Sequence, residues 1–283
     1  MRFSKFIMFC LLVIFTVISV SNTIVTTINP YYLVTKQIVQ DKMDVQLLIK
    51  PGSNPHTFSP TVNDVKMLSN AKIIFANGLG LDNSYLKTYK NVVYLGEVIP
   101  KNLLLQGDED HGEYNPHVWL SLDFLIDYIV PKITQEIIKL DSKNKSFYEK
   151  NSNEILSSLR DISSKMDKLL SNSKGSVVIL EHPSFLYFFN KYGIKVLSVE
   201  EGHEKQPSTQ HIKNIINTAR SSRLLGIFVG PQFDASTIST IAKELNTKHK
   251  ILDPLGFTIK AQKISALFEN VYLVLQESLQ ERK

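Results

Sequence analysis

Cysteine is almost missing from this chain: of 283 residues, only Cys10 is one. Cys10 lies inside an N-terminal apolar run, so loss of that run leaves no thiol. Disulfides and thiolate-ligated metal or cofactor sites are then excluded. Long hydrophobic runs are equally scarce. Beyond residue 20, no apolar stretch approaches the ~20 residues that a membrane-spanning helix needs. Charge of one sign is lacking too, with 32 Lys and Arg against 27 Asp and Glu, a net +5 that falls to +3 without Arg2 and Lys5. An excess so mild and scattered gives no argument for binding nucleic acid or a membrane surface, and no nucleic-acid partner is expected. Glycine and proline are ordinary in number, and no biased tract marks a disordered tail.

The N-terminus differs from everything after it. Arg2 and Lys5 precede an apolar run from Phe6 to Val20, broken only by Thr16 and Ser19, with small residues at Ser19 and Ser21. A positive start, a short apolar run and a small-residue end read as a secretory signal over residues 1–21. An uncleaved signal anchor is the alternative. Cys10 sits mid-run after Met8 and Phe9, the wrong context for lipidation. A free periplasmic protein is therefore expected, without a lipid anchor.

Past the signal, short apolar runs alternate with amphipathic stretches. Strands are expected at 23–28, 44–49, 72–76 and 91–95, with helices at 32–40 and 61–70 and an apolar helix from Leu122 to Val130. This alternation is the signature of a parallel sheet covered on both faces. Residues 141–172 break it. Ile155, Leu159, Ile162, Met166 and Leu169 recur at helical spacing, one narrow stripe along a long structural helix, while Ser152, Ser157, Ser158, Arg160, Asp161 and Lys165 cover its other faces. The alternation then resumes, with strands at 175–180, 195–199, 225–229 and 250–252. Helices fall at 185–192, 209–221, 235–245 (Asp234 as N-cap) and 260–279. The fold class is α/β: two lobes, 22–140 and 173–283, each a parallel sheet flanked by helices, joined by one long rigid helix over 141–172. No sequence repeat links the lobes, and nothing indicates an oligomer, so a monomer is expected.

Ligands of such proteins bind at the carboxyl ends of the strands, in the cleft. His56 follows the second strand, in Pro51-Gly-Ser-Asn-Pro-His56. His182 follows Leu180, and Asp253 follows Leu252 directly. His117 lies in Asn115-Pro-His-Val-Trp119, before the apolar helix. Three imidazoles and one carboxylate, two from each lobe, suit a borderline first-row metal such as zinc. Four protein ligands close a tetrahedral site, which favours capture over catalysis, since a catalytic zinc keeps a position open for water. Prolines beside all four residues stiffen their loops. Trp119, Phe185, Tyr187, Phe188, Phe189 and Tyr192 are expected to form a dry shell. His203, His211 and His249 are read as peripheral.

These residues resemble a known family. Pro51-Gly-Ser-Asn-Pro-His56-Thr-Phe-Ser-Pro60, with Asp64 and Asn77-Gly-Leu-Gly-Leu81 after it, is similar to the entry motif of the zinc/manganese receptors of ABC transporters. Asn115-Pro-His117-Val-Trp-Leu resembles their second-ligand motif, and the run from Glu181-His182-Pro-Ser to Tyr192-Gly193 the third. Gly230-Pro-Gln-Phe233 and Leu252-Asp253-Pro-Leu255 resemble the segment of the fourth. The similarity spans nearly the whole chain after the signal. It implies two lobes on a rigid helix, a metal held by His56, His117, His182 and Asp253 with little motion on release, and a membrane permease as partner. Two departures stand out. Gln206-Pro-Ser208 replaces the usual Glu-Pro-Ser, and the long His-rich loop of many zinc-specific members shrinks to Gly107-Asp-Glu-Asp-His-Gly-Glu113.

Within the resemblance, a histidine at the third position accompanies zinc and a carboxylate accompanies manganese, so His182 favours zinc, with manganese or iron as the alternative. Two other classes stay open. A periplasmic zinc hydrolase would need an open position and a base, for which Glu181 and Glu204 are the candidates. A metal-stabilised adhesin would unfold when stripped of metal.

Overall fold

The computed structural model describes residues 23–107, 112–201 and 207–281. The signal reading of 1–21, positions 108–111 of the acidic loop, His203, Glu204 and Gln206 lie outside the described residues.

The first lobe carries a four-stranded sheet of β1 (Ile24–Thr26), β2 (Val45–Leu47), β3 (Ile73–Ala76) and β4 (Val92–Tyr94), all parallel, in the order β2-β1-β3-β4. Its helices are α1 (Asn29–Val39), α2 (Val62–Asn70), α3 (Asn83–Leu86), α4 (Leu122–Phe124) and α5 (Val130–Leu140). α1 opens three residues earlier than the apolar pattern predicts, because Pro30 sits in its first turn, where a missing N–H costs nothing. α2 begins with a capping box: the Thr61 hydroxyl accepts from the Asp64 amide, and the Asp64 carboxylate accepts from the Thr61 amide. The helix at Leu122 does not stop near Val130. It runs on through a π turn at Leu125–Ile129 into α5, and Pro131 falls just after that turn. The wider turn accommodates a ring that would otherwise meet the carbonyl four residues back.

α6 (Lys145–Leu170) is the long helix, entered through a short 3-10 turn at Ser142–Asn144. Its buried face is broader than the sequence stripe. Tyr148, Asn151, Ser152 and Ser163 are buried beside the apolar residues, and the stripe ends on buried Leu170, with Leu169 half-exposed. Ser152, expected on an outer face, accepts a hydrogen bond from the Thr134 hydroxyl of α5 (2.9 Å). A helix wedged between both lobes has less solvent-facing surface than one lying along a seam.

The second lobe repeats the first. β5 (Val177–Leu180), β6 (Lys195–Ser198), β7 (Leu224–Val229) and β8 (Lys250–Ile251) are parallel in the order β6-β5-β7-β8. Around them lie α7 (Leu186–Lys191), α8 (Thr209–Arg220), α9 (Ser236–Glu244) and α10 (Ile264–Gln280). α9 is not capped by Asp234. Its N-cap position is Ala235, and Asp234 instead accepts from the amide and hydroxyl of Ser236.

One continuous apolar core runs from β1 and α1 through Trp119, α5 and α6 to β5, β7 and α10. A second, smaller core fills the outer face of the second sheet against α8 and α9. Polar bonds cross between lobes as well. The Trp119 indole donates to the Pro254 carbonyl (2.9 Å), the Asn29 amide to the Leu255 carbonyl (2.7 Å), and the Ile264 amide to the Gln37 side chain (2.8 Å). On the surface Lys191 pairs with Asp123 (2.7 Å). A shared core laced by buried hydrogen bonds resists hinge opening. Among the described residues, no helix is long and apolar enough to cross a membrane.

Candidate metal centre

Two tripeptides with one sequence, Asn54-Pro55-His56 and Asn115-Pro116-His117, build two arms of the site. In each, the asparagine Oδ1 accepts from the histidine amide at 3.0 Å, an Asx turn that the intervening proline pre-forms. The first turn hangs from the end of β2. The second is held from below by the segment after β3. There the Asn77 side chain donates to the Pro116 carbonyl (2.9 Å) and accepts from the Tyr31 hydroxyl (2.6 Å). Asn77 can reach this position because the chain turns sharply at Gly78, whose φ of +76° an L side chain rarely adopts. Gly96 closes the same contact, since a Cβ there would lie 2.7 Å from the Asn77 carbonyl. Buried Asp82 ties the turn by accepting from the Asn77 and Gly78 amides and the Thr27 hydroxyl. Burial pushes its carboxyl up against those hydrogen bonds, which pull it down.

The third arm leaves the end of β5. His182 is extended (φ −124°, ψ 140°), as a residue before proline must be, and Pro183 starts a short 3-10 turn. The Phe233 ring stacks on His182 (5.0 Å between centroids, 26°), and Trp119 tilts against His117 at 5.1 Å. His117 and His182 are 2% and 3% exposed, while His56 is half-buried and forms the rim.

The three rings converge through Nε2. His117 Nε2 lies 3.0 Å from His56 Nε2 and 3.0 Å from His182 Nε2, and the ligand atoms of all three fall within 4.8 Å of one another. The remaining ring nitrogens decide the protonation. His117 Nδ1 is 2.9 Å from Asn115 Oδ1, which already accepts the His117 amide and so is the oxygen. An amide oxygen only accepts, so His117 Nδ1 carries the hydrogen. His182 Nδ1 bonds the Glu200 carboxylate, which also only accepts. With both Nδ1 atoms so engaged, the Nε2 atoms of His117 and His182 face each other at 3.0 Å, with His56 Nε2 also 3.0 Å from that of His117. Three imidazole nitrogens aimed at one point form a donor set that suits a cation. A tetrahedral zinc with bonds of about 2.0–2.1 Å separates two of its nitrogens by about 3.3 Å, close to the spacing here.

Asp253, at the end of β8, is buried but stands outside this close group. Its Oδ1 accepts from the Leu255 and Gly256 amides, and its Oδ2 from the Thr258 amide and hydroxyl, between 2.7 and 3.0 Å. Of the four expected ligands, three are brought together, and the fourth is engaged by its own loop. Glu181 lies within the electrostatic reach of Glu200 and Asp234. Burial and those two charges push its carboxyl up to about 7.

Glu200 is the site residue that the sequence reading passed over. Its signal was present in the strand pairing: β5 and β6 are parallel with Leu180 opposite Ser198, and two residues further on His182 meets Glu200. Tyr187 is a second omission of role. The sequence places it in the dry apolar shell, yet its hydroxyl accepts from the Leu105 amide (3.2 Å) and donates to the Asn115 carbonyl (2.8 Å), tying both from the opposite lobe. His211, expected at the periphery, has its ring Nε2 2.9 Å from the Ser198 carbonyl at the end of β6.

Comparison with known proteins fits this geometry. A family model described as ZnuA, zinc-uptake complex component A, periplasmic, matches residues 24–277. A Thermotoga maritima protein described as metal-binding is 38% identical over 276 residues, covering 97% of this chain and 99% of its own. The high-affinity zinc uptake system protein ZnuA of Bacillus subtilis is 29% identical (82% of this chain, 78% of its own). The manganese ABC transporter substrate-binding lipoprotein PsaA of Streptococcus pneumoniae is 27% identical (79% and 76%). Among solved structures, a ZnuA crystal structure superposes with a TM-score of 0.79 at 25% identity, covering 92% of this chain and 98% of that one.

Proposed function

The chain belongs to the ZnuA family of periplasmic zinc-uptake components, and from that membership we propose that it captures a divalent transition metal in the cell envelope and delivers it to the permease of an ABC importer. Zinc is the first choice of cargo. Three neutral imidazoles suit it, and His182 takes the place where a carboxylate would turn preference toward manganese. Relatives bear both zinc and manganese names, so cargo has to be measured. His56, His117 and His182 supply the imidazoles, and Asp253 is proposed as the carboxylate that closes the site and offsets charge. Export through the N-terminal signal places the protein in the periplasm.

The observation that carries the reading is the convergence of the Nε2 atoms of His56, His117 and His182, with the Nδ1 atoms of His117 and His182 turned to Asn115 and Glu200. A cation satisfies that arrangement, and the dry shell around it favours retention. The rigid inter-lobe core fits a receptor that opens little on release.

The test uses the chain from Asn22 onward, purified without chelator, with metal counted by elemental mass spectrometry and then competed with zinc and manganese after stripping. One zinc per chain is expected, with His182→Ala losing more than about a hundredfold in affinity while staying folded. Comparable manganese binding moves the cargo to manganese and keeps the receptor. If Asp253→Asn leaves zinc affinity unchanged, Asp253 is a loop cap and not a ligand. Zinc-dependent turnover of ester or phosphate substrates, with Glu181 as base, would turn the reading toward a hydrolase.

A further inference from the structure

We propose that Glu200 is a positioning residue of the metal centre: its carboxylate locks the His182 ring with Nε2 toward the cation and strengthens that nitrogen as a donor. The inference rests on the receptor reading and adds a residue that sets its affinity.

Three independent features place Glu200 there. First, its backbone is tied to the same strand as the ligand. Beyond the last paired residues of β5 and β6, the Val199 amide donates to the Leu180 carbonyl (2.8 Å) and the Glu200 amide to the Glu181 carbonyl (2.9 Å). Parallel pairing thus continues up to the position beside His182, and the carboxylate is delivered by the sheet rather than by a free loop. Second, the contact is sheltered. The His182 side chain is 2% exposed and that of Glu200 16%, so water competes little for the bond. Third, the ring has few other choices. Phe233 stacks along one face of His182 and the Glu200 carboxylate takes its Nδ1 edge, which leaves Nε2 directed at His117.

The neighbouring ligand shows what the charge adds. His117 Nδ1 is held by a neutral amide oxygen, that of Asn115, whereas His182 Nδ1 is held by a carboxylate. Both acceptors fix the same tautomer. Only the carboxylate also draws the Nδ1 hydrogen toward a negative charge, which raises the basicity of Nε2 and offsets part of the charge of a dication among neutral rings. Glu201, one residue on, serves the start of α8 instead: it accepts from the Ser208 amide (2.9 Å) and lies 3.9 Å from His211 Nδ1.

The test compares Glu200→Ala and Glu200→Gln in the chain from Asn22 onward, by zinc competition and by nitrogen-15 NMR of the histidine rings in the metal-free protein. Glu200→Ala is expected to raise the zinc Kd by about 10–100-fold and to release His182 from the Nδ1–H form. Glu200→Gln keeps an oxygen for Nδ1, so it should retain that tautomer and show a Kd between parent and alanine variant. An alanine variant within twofold of the parent Kd overturns the proposal. So does a loss of affinity with the tautomer unchanged, because a merely structural role has that outcome. Should Glu200→Ala fail to fold, Glu200→Gln carries the test: a Kd equal to the parent's removes any role for the charge. The tautomer is read without metal, so failure of the parent to bind zinc would count against the receptor reading and not against this one.

Discussion

Replacing Asn77 with alanine takes away a side chain that is fully buried and supports His117 from behind. Two long-range partners lose their bonds, the Tyr31 hydroxyl (2.6 Å) and the Pro116 carbonyl (2.9 Å). Tyr31 is itself fully buried, so water does not readily replace the lost partner. A buried polar group left unsatisfied costs about 1–3 kcal/mol, and two such groups with some relaxation give about 4 kcal/mol for Asn77→Ala. Tyr31→Phe removes the hydroxyl and orphans one acceptor, which costs about 1–2 kcal/mol. The double variant should fall short of the sum by about 1 kcal/mol, the coupling of residues that share a bond. Urea unfolding of the metal-free chain measures all three, and Trp119, the single tryptophan, reports from the site itself. Zinc affinity should fall about tenfold as well, since Pro116 precedes the ligand His117. If Asn77→Ala costs less than about 1 kcal/mol and binds zinc as the parent does, the turn after β3 does not support the second arm, and the reasoning fails.

Other expectations concern protons, metal and export. The Glu181 carboxyl, pushed up to about 7 by burial and by Glu200 and Asp234, binds its proton more tightly folded than unfolded, where its value is near 4.5. Its contribution is therefore fully present below about pH 4.5 and is lost as pH rises through 7, by about 1–2 kcal/mol once discounted for partial exposure. Glu181→Gln should flatten that slope in urea midpoints taken from about pH 4 to 8, and parallel curves would count against it. Zinc at a hundred times its Kd should add about 2.7 kcal/mol of stability, which is roughly 5–10 °C in melting temperature for a chain of this size. The stripped protein should still melt cooperatively, because the shared core forms from side chains alone; a stripped chain with no transition would favour the adhesin. Lys191→Met breaks a half-exposed pair with Asp123 and should cost no more than about 1 kcal/mol, without changing zinc affinity. Exported protein analysed by intact mass should begin near Asn22, and a retained Met1 would mean an uncleaved anchor.

The alternation of strand and helix was legible because it depends on local periodicity. Ile24-Val25 and Val177-Val178-Ile179-Leu180 are apolar runs short enough for buried strands, and the spacing from Ile155 to Met166 is helical whatever surrounds it. Ends of elements were less legible. Pro30 and Pro131 look like helix boundaries in a one-dimensional reading, yet one sits harmlessly in a first turn and the other follows a π turn. Asp234 carries the right side chain for an N-cap but stands one residue too early, since the cap is decided by backbone dihedrals.

By itself, then, the sequence determined the class of fold, the lack of any cysteine beyond Cys10 and a short roster of polar residues at strand ends, His56, His117, His182 and Asp253 among them. All of these follow from residue type and from neighbours a few positions away. Only the tertiary structure decided which of the roster meet. His56 and His117 are separated by 61 residues and His117 and His182 by 65, and their convergence depends on two sheets of the same strand order facing one cleft across a shared core. Only the tertiary structure could pair Glu200 with His182, through strand register, and engage both oxygens of Asp253 with the loop that follows it. Periodicity is a property of the local chain. Convergence is a property of the packed whole, in which burial makes it costly to leave a polar group without a partner.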